Sequence, residues 1–447
     1  MSQQANADLG PMTTLQENKG PLLITFRLSL MMFLQYAVWG AWLPLASRFM
    51  DAATDEGGLG FTEGQIGLLL GAAGSIGAVS APFIAGQFAD RYFRTERFLG
   101  VLLVVGGIIQ LLLASQRSFP AWLGLSVAYS IVFMPTLALS NGLAFAHIRD
   151  ASREFPKIRI WGTIGWIAAG WVFSWIWLQH DLGFQKLPPF LKGYDVTDVT
   201  ARLIDSLRFS AIIAFAYAAY CFLLLPATPP KRERVESLAF AKAFRLFTKP
   251  SFAVLVLTSL AIATIHQVYF IQTPKFFPFL GLRDSDIAPA MTIGQFSEII
   301  MMALLGLLLK RLGFRLVMFM GCLAYLARYA IWGTTGLPVS LMVGSQFLHG
   351  FCYACFFAVS FIYVDRIADA DVRNSAQTVY GIMILGGGPV LGGFLSGWLG
   401  NYFTPEGGTL NFSHFWYTIA AIGFVTSLVF VLLFRDETKE KTPAMSG

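Results

Sequence analysis

The chain has 447 residues, of which 55% are hydrophobic and only 13% charged. A soluble domain carries about 25% charged residues, so the composition excludes a soluble globular protein and points to a polytopic membrane protein. The net charge of +6 is not a nucleic-acid signal, because the lysines and arginines sit in loops, as membrane orientation requires.

A membrane crossing needs about 20 apolar residues. Counting such runs predicts twelve transmembrane helices, near 25–47, 64–88, 98–116, 121–147, 158–178, 208–225, 251–273, 287–309, 315–333, 338–364, 375–399 and 415–434. The first 20 residues are polar and the first run is long, which reads as a retained span rather than a cleaved signal peptide. The segment from His180 to Leu207 is the longest loop on the outer side, with a polar stretch, Asp195 to Asp205, expected as a short surface helix. With the N-terminus placed in the cytoplasm, 23 of the 32 lysines and arginines fall on the cytoplasmic side, leaving nine for the other. That bias predicts both termini inside, in the cell (inner) membrane.

The segment Pro226 to Pro250 opens with prolines and basic residues, then turns amphipathic from Val235 to Phe247. It reads as a cytoplasmic linker (226–250) with a helix on the membrane surface. It separates an N-terminal six-helix half (1–225) from a C-terminal six-helix half (251–447). The halves echo each other. Gly86-Gln-Phe-Ala-Asp90-Arg91 follows the second run, and Gly306-Leu-Leu-Leu-Lys310-Arg311 follows the eighth, 220 residues on. A duplicated six-helix unit is the simplest cause. In each copy the glycine is expected to let two helices approach closely. The glycine patches Gly71–Gly77 and Gly386–Gly397 suggest further close packing. Cys221, Cys322, Cys352 and Cys355 all lie in apolar runs, and the C-x-x-C spacing of the last pair has no second pair or histidine cluster to complete a metal site. They read as helix-packing residues.

Polar side chains inside spans are expensive and usually functional or well paired. In the fifth run Arg159, Thr163 and Trp166 are spaced i, i+4, i+7 on one helix face. They offer a charge, a hydroxyl and a ring to a flat polar solute; alternatively Arg159 snorkels to the membrane surface. The eighth run carries Gln295 and Glu298. A carboxylate at that depth either pairs with a cation or takes up a proton, which is what a proton-coupled carrier needs; a static ion pair is the alternative. His266 and Tyr269 in the seventh run, and His349 and Tyr353 in the tenth, pair a histidine with a tyrosine one helical turn away. They can supply hydrogen bonds and stacking surface around a planar base, or be packed core residues. Gln35 and Tyr36 of the first run and Asn141 of the fourth are weaker candidates. Arg159 is the one cation counted as available to the cavity, which favours uncharged over phosphorylated solutes.

The glycine-x-x-x-aspartate-arginine motif of Gly86, Asp90 and Arg91 resembles the loop motif of the major facilitator superfamily. Several further segments resemble its nucleoside:H+ symporter family. They are Trp39-Gly-Ala-Trp42, Met134-Pro-Thr-Leu-Ala-Leu-Ser-Asn141, Phe155-Pro-Lys-Ile-Arg-Ile-Trp-Gly-Thr-Ile-Gly-Trp166, Gly294-Gln-Phe-Ser-Glu298, His349-Gly-Phe-Cys-Tyr353, and Tyr363-Val-Asp365 with Ser375-Ala-Gln377. The resemblance implies an all-α integral membrane protein with the major facilitator fold. It further implies nucleoside uptake driven by the proton gradient, with solute contacts at Arg159, Thr163, Trp166, His266, Tyr269, Gln295, Glu298, His349 and Tyr353. Relatives often carry an acidic residue where this chain has Ala354, which leaves Glu298 as the main deep carboxylate and the expected proton-coupling group.

The expected partners are a nucleoside, protons and the lipid bilayer, with no nucleic acid, no cofactor and no metal, and a monomeric carrier that is not an enzyme. The rival readings are a carrier of the same fold for a sugar, nucleobase or drug, a membrane enzyme, and a non-transporting sensor. An enzyme needs a reactive cluster that the sequence lacks.

Overall fold

A computed structural model describes residues 12–82, 84–85, 92–229, 248–368, 373–406 and 408–439, with side chains from residue 22. The helices are α1 (Leu22–Asp51), α2 (Glu63–Pro82), α3 (Thr95–Ser115), α4 (Phe119–His147), α5 (Ala151–Phe173), α6 (Val199–Leu223), α7 (Pro250–Phe279), α8 (Asp284–Gly333), α9 (Val339–Ile367), α10 (Ser375–Phe403) and α11 (Phe412–Leu433). Among the described residues, the ten other than α5 are long and apolar enough to cross a membrane. The first turns of α5 carry Arg153, Glu154, Lys157 and Arg159, which lower its apolar character. Helix α8 is broken at Gly313, whose φ of +74° and ψ of 172° lie where only glycine is comfortable. The break falls between Arg311 and Arg315, where the sequence predicts a charged turn between two runs.

Two expectations are corrected. The loop after α5 opens with a β-hairpin, β1 (Gln179–Phe184) paired antiparallel with β2 (Leu191–Asp195); the short helix expected over 195–205 is present as the first turn of α6, Val199–Arg202. Side chains hold the hairpin: Trp175 Nε1 donates to the Leu191 carbonyl at 3.0 Å and Gln179 Oε1 accepts from the Gly193 amide at 2.6 Å. Nor does Gly306 mediate a close helix approach, because a Cβ added there would meet nothing within 4 Å. The loop motif of Gly86, Asp90 and Arg91 and the amphipathic segment 235–247 lie outside the described residues.

Close packing does occur at the other glycines. An added Cβ at Gly393 would lie 2.2 Å from the Gly67 carbonyl oxygen, and one at Gly77 would lie 1.9 Å from that of Ser130. Helices α2, α4 and α10 therefore meet backbone to backbone. In a bilayer, helix association rests on such contact and on interhelical hydrogen bonds, since lipid is as apolar as leucine. The bonds are present. Gln35 Nε2 donates to Thr136 Oγ1 at 2.8 Å, and Ser140 donates to Gln35 Oε1 at 2.9 Å, tying α1 to α4. Gln110 donates to Tyr129 and Ser210 at 3.0 and 2.7 Å, tying α3 to α4 and α6. Gln35 is thus occupied in holding helices together. All four cysteines are buried free thiols, as packing residues should be.

Candidate functional site

The face of α5 with Arg159, Thr163 and Trp166 packs along α1. Small residues make this possible: an added Cβ at Gly162 would lie 2.6 Å from the Tyr36 ring, and one at Gly165 would lie 2.1 Å from the Phe33 carbonyl oxygen. The Arg159 guanidinium lies 4.0 Å from the Tyr36 ring centroid. Trp166 meets Trp39 edge to face at 5.8 Å. Arg159, Thr163, Trp166 and Tyr36 are all half-buried. Mid-helix polar groups that retain exposure belong on a water-filled cleft rather than against lipid.

The opposite wall comes from α7, α8 and α9. Glu298 is half-buried on α8, and Arg159 and Tyr36 lie within its electrostatic reach. Gln295, one turn earlier, is buried with its Oε1 unpartnered. Tyr353, half-buried on an irregular π-helical stretch of α9 (Phe351–Ala358), is within electrostatic reach of Glu298, Arg159 and Tyr36. Such stretches recur at functional sites because the widened turn redirects side chains. Groups that stand 139 residues apart in sequence therefore form one cluster.

The histidines also come together. The rings of His266 and His349 stack at 5.3 Å. His266 Nδ1 is 2.8 Å from the Tyr325 hydroxyl. His266 is half-buried, whereas His349 and Tyr269 are buried, at 2% and 0% exposure. Tyr269 accepts from Gln346 Nε2 at 3.2 Å and faces Arg328 rather than the cleft. Phe270 joins the two walls, with its ring 6.5 Å from Trp166 and 5.2 Å from His266. An aromatic lining thus runs from Trp39 through Trp166 and Phe270 to the histidines.

Three contributors escape sequence reasoning. Trp39 and Phe270 are aromatic residues among many in apolar runs. Arg328, counted with the outer-side cations, is fully buried, with its guanidinium 4.4 Å from the Tyr269 ring centroid. Arg159 is therefore not the sole deep cation. The signal was an arginine in the interior of an apolar run, five residues from its end. Among the described residues, no group of three or more His, Cys, Asp or Glu could hold a metal ion.

At the end of the bundle carrying β1 and β2, ion pairs and polar contacts join residues 22–223 to residues 250–433. Lys275 on α7 pairs with Glu63 on α2 at 2.5 Å, both side chains being largely buried, and Gln272 donates to Glu63 at 2.9 Å. Arg48 Nε lies 2.8 Å from Asp284, which also accepts from Thr200 at 2.8 Å. The hairpin is clasped by Lys192–Asp286 at 3.2 Å and by Ser285 donating to Asp195 at 2.5 Å. The hydrogen-bonded carboxylate of Asp286 raises the pKa of Arg283, which in turn donates to the Gly193 carbonyl at 2.6 Å.

A cleft with, among the described residues, one deep carboxylate, a deep cation across from it and an aromatic lining between two groups of helices is the anatomy of a solute carrier. The family described as Nucleoside H+ symporter matches residues 22–439. The chain belongs to this family. The transporter YegT of Escherichia coli (strain K12) is 31% identical, with 94% of this chain and 95% of YegT covered. The nucleoside permease NupG of the same strain is 26% identical over 92% of this chain and 96% of NupG. The crystal structure of the nucleoside transporter NupG superimposes with a TM-score of 0.77 at 24% identity, covering 92% of this chain and 99% of that one, which establishes the fold. As a member of the nucleoside H+ symporter family the protein is a multi-pass membrane transporter.

Proposed function

We propose that this chain takes up nucleosides with protons by alternating access, acting as a carrier and not as an enzyme. The working unit is a monomer of twelve membrane helices. Helix α5 and the two arms of α8 complete the count begun by the other helices. Residues 1–225 and 251–447 form two six-helix halves that rock about the cleft, joined by the linker 226–250. Both termini face the cytoplasm, with the chain in the inner membrane. On that orientation the ion-paired end is the outer one, and the conformation described here is closed outward.

The observation that carries the reading is the position of Glu298. Among the described residues it is the one deep carboxylate in the cleft, within electrostatic reach of Arg159 and Tyr36 across the halves and of Tyr353 in its own half. Solute and proton can both act on it, which is the coupling a symporter requires. Gln295 and Glu298 accept hydrogen bonds from ribose hydroxyls. Arg159 and Thr163 donate to the solute, and Trp166, His266, His349 and Tyr353 flank the base, with Tyr269 supporting them from behind. The motif of Gly86, Asp90 and Arg91 acts at the cytoplasmic turn between the second and third membrane helices. The test is uptake of labelled uridine by Glu298→Gln in vesicles. Loss of gradient-driven accumulation with intact membrane insertion supports the assignment, and wild-type accumulation at every pH refutes it.

A further inference from the structure

Arg328 has no part in the mechanism outlined so far. It is fully buried, and no carboxylate pairs with it among the described residues. Its Nη1 donates to His349 Nδ1 at 2.8 Å and its Nη2 to the Tyr329 hydroxyl at 3.0 Å. The Tyr329 hydroxyl passes its own hydrogen to the Ile265 carbonyl at 2.8 Å, so the guanidinium is fixed. Rings of Tyr269 and Tyr329 lie 4.4 and 4.9 Å from it. A buried guanidinium is costly and calls for a role beyond packing.

The chemistry of this contact is one-sided. A guanidinium only donates, so Nδ1 of His349 must present its lone pair. The neutral ring then carries its hydrogen on Nε2, which has no acceptor among the described residues. The His349 ring packs on Gly294, next to Gln295, and stacks on the half-exposed His266. Without Arg328 the imidazole is free to adopt either tautomer and so to donate or accept.

We propose that Arg328 is a specificity-determining positioning residue. By holding the His349 hydrogen on Nε2, it makes this wall of the site a donor, which favours nucleosides whose base presents a carbonyl oxygen over those with an amino group at the same place. This rests on the reading of the cleft as a nucleoside site. Inosine and adenosine form the matched pair, since they differ at C6 by a carbonyl oxygen against an amino group. One hydrogen bond of this kind is worth about 1 kcal/mol, a preference of roughly fivefold.

The experiment is competition by unlabelled inosine and adenosine against labelled uridine uptake, with the full chain in proteoliposomes. Inosine should compete about fivefold better than adenosine in the wild type. The ratio should fall toward one in Arg328→Met and recover in Arg328→Lys, which still donates to Nδ1. A merely structural role would lower uptake of all solutes and leave the ratio alone. Equal competition in the wild type, or an unchanged ratio in Arg328→Met, overturns the proposal. If Arg328→Met does not insert, His349→Gln carries the test, because its amide can donate or accept: a ratio near one supports the proposal and the wild-type ratio overturns it. Absence of any uridine uptake by folded wild-type protein is a different result, which overturns the nucleoside reading and this proposal with it.

Discussion

The guanidinium of Arg159 rests 4.0 Å from the centroid of the Tyr36 ring, within electrostatic reach of Glu298 but not in an ion pair with it. The two groups come from α5 and α8, on opposite sides of the cleft. A cation held on a ring face is stabilised without an ion-pair partner. Arg159 can then turn to a solute, or to Glu298, as the halves move.

Removing the ring should release that cation. A desolvated cation–π contact is worth about 2 kcal/mol. Tyr36→Phe keeps the ring face and should retain uptake within about twofold, while Tyr36→Leu should lose about tenfold or more. Initial rates of uridine uptake at matched expression check this; equal rates for the two variants would show that the hydroxyl, or nothing at Tyr36, matters.

The carboxylate of Glu298 should be dispensable for folding and required for coupling. Glu298→Gln is nearly isosteric and lies on a half-buried position, so insertion and thermal stability should match the wild type. Uptake should lose its response to an imposed proton gradient. Parallel measurements with external pH at 5.5 and 7.5 read the effect directly.

The Lys275–Glu63 pair should stabilise the outward-closed state. Its side chains are 3% and 11% exposed, and breaking a buried pair by removing one partner costs roughly 3–5 kcal/mol. In Lys275→Met that cost falls on the closed state, so the outer end should open more often. Ser396 lies behind the pair, bonded to Gln272 at 2.9 Å. A cysteine placed at Ser396 should react with an external maleimide at least about tenfold faster in the Lys275→Met background; unchanged labelling would assign the closure to other contacts.

Two glycines give a matched test of packing. Gly393→Val would drive its Cβ to 2.2 Å from the Gly67 carbonyl, where backbone cannot yield, whereas Gly306→Val meets open space. The first variant should lower the melting temperature in detergent by several degrees and the second should not. Equal melting temperatures would contradict the close contact of α2 with α10.

Much of this molecule was legible because a bilayer makes polar residues conspicuous. Arg159, Glu298, His266 and His349 stand out in apolar runs, and the structure gathers all four around one cleft. Depth along a run was not enough to tell their roles apart. Gln35 was equally deep and is consumed by Thr136 and Ser140. Tyr269 shares a face with His266 yet turns to Arg328. Arg328 itself was taken for a loop cation, because nothing in the sequence reveals that rings from α7 and α8 enclose it. The hairpin β1–β2 was missed since its hold on residues 283–286 is tertiary, made by Asp195, Lys192 and Gly193 with partners about 90 residues away.

The most direct test of the account is labelled uridine and adenosine uptake into vesicles holding the purified protein, with and without an inward proton gradient. The account predicts accumulation above the external concentration only when the gradient is imposed, and its collapse on adding a protonophore. Uptake indifferent to the gradient, or no uptake by folded protein, would contradict it.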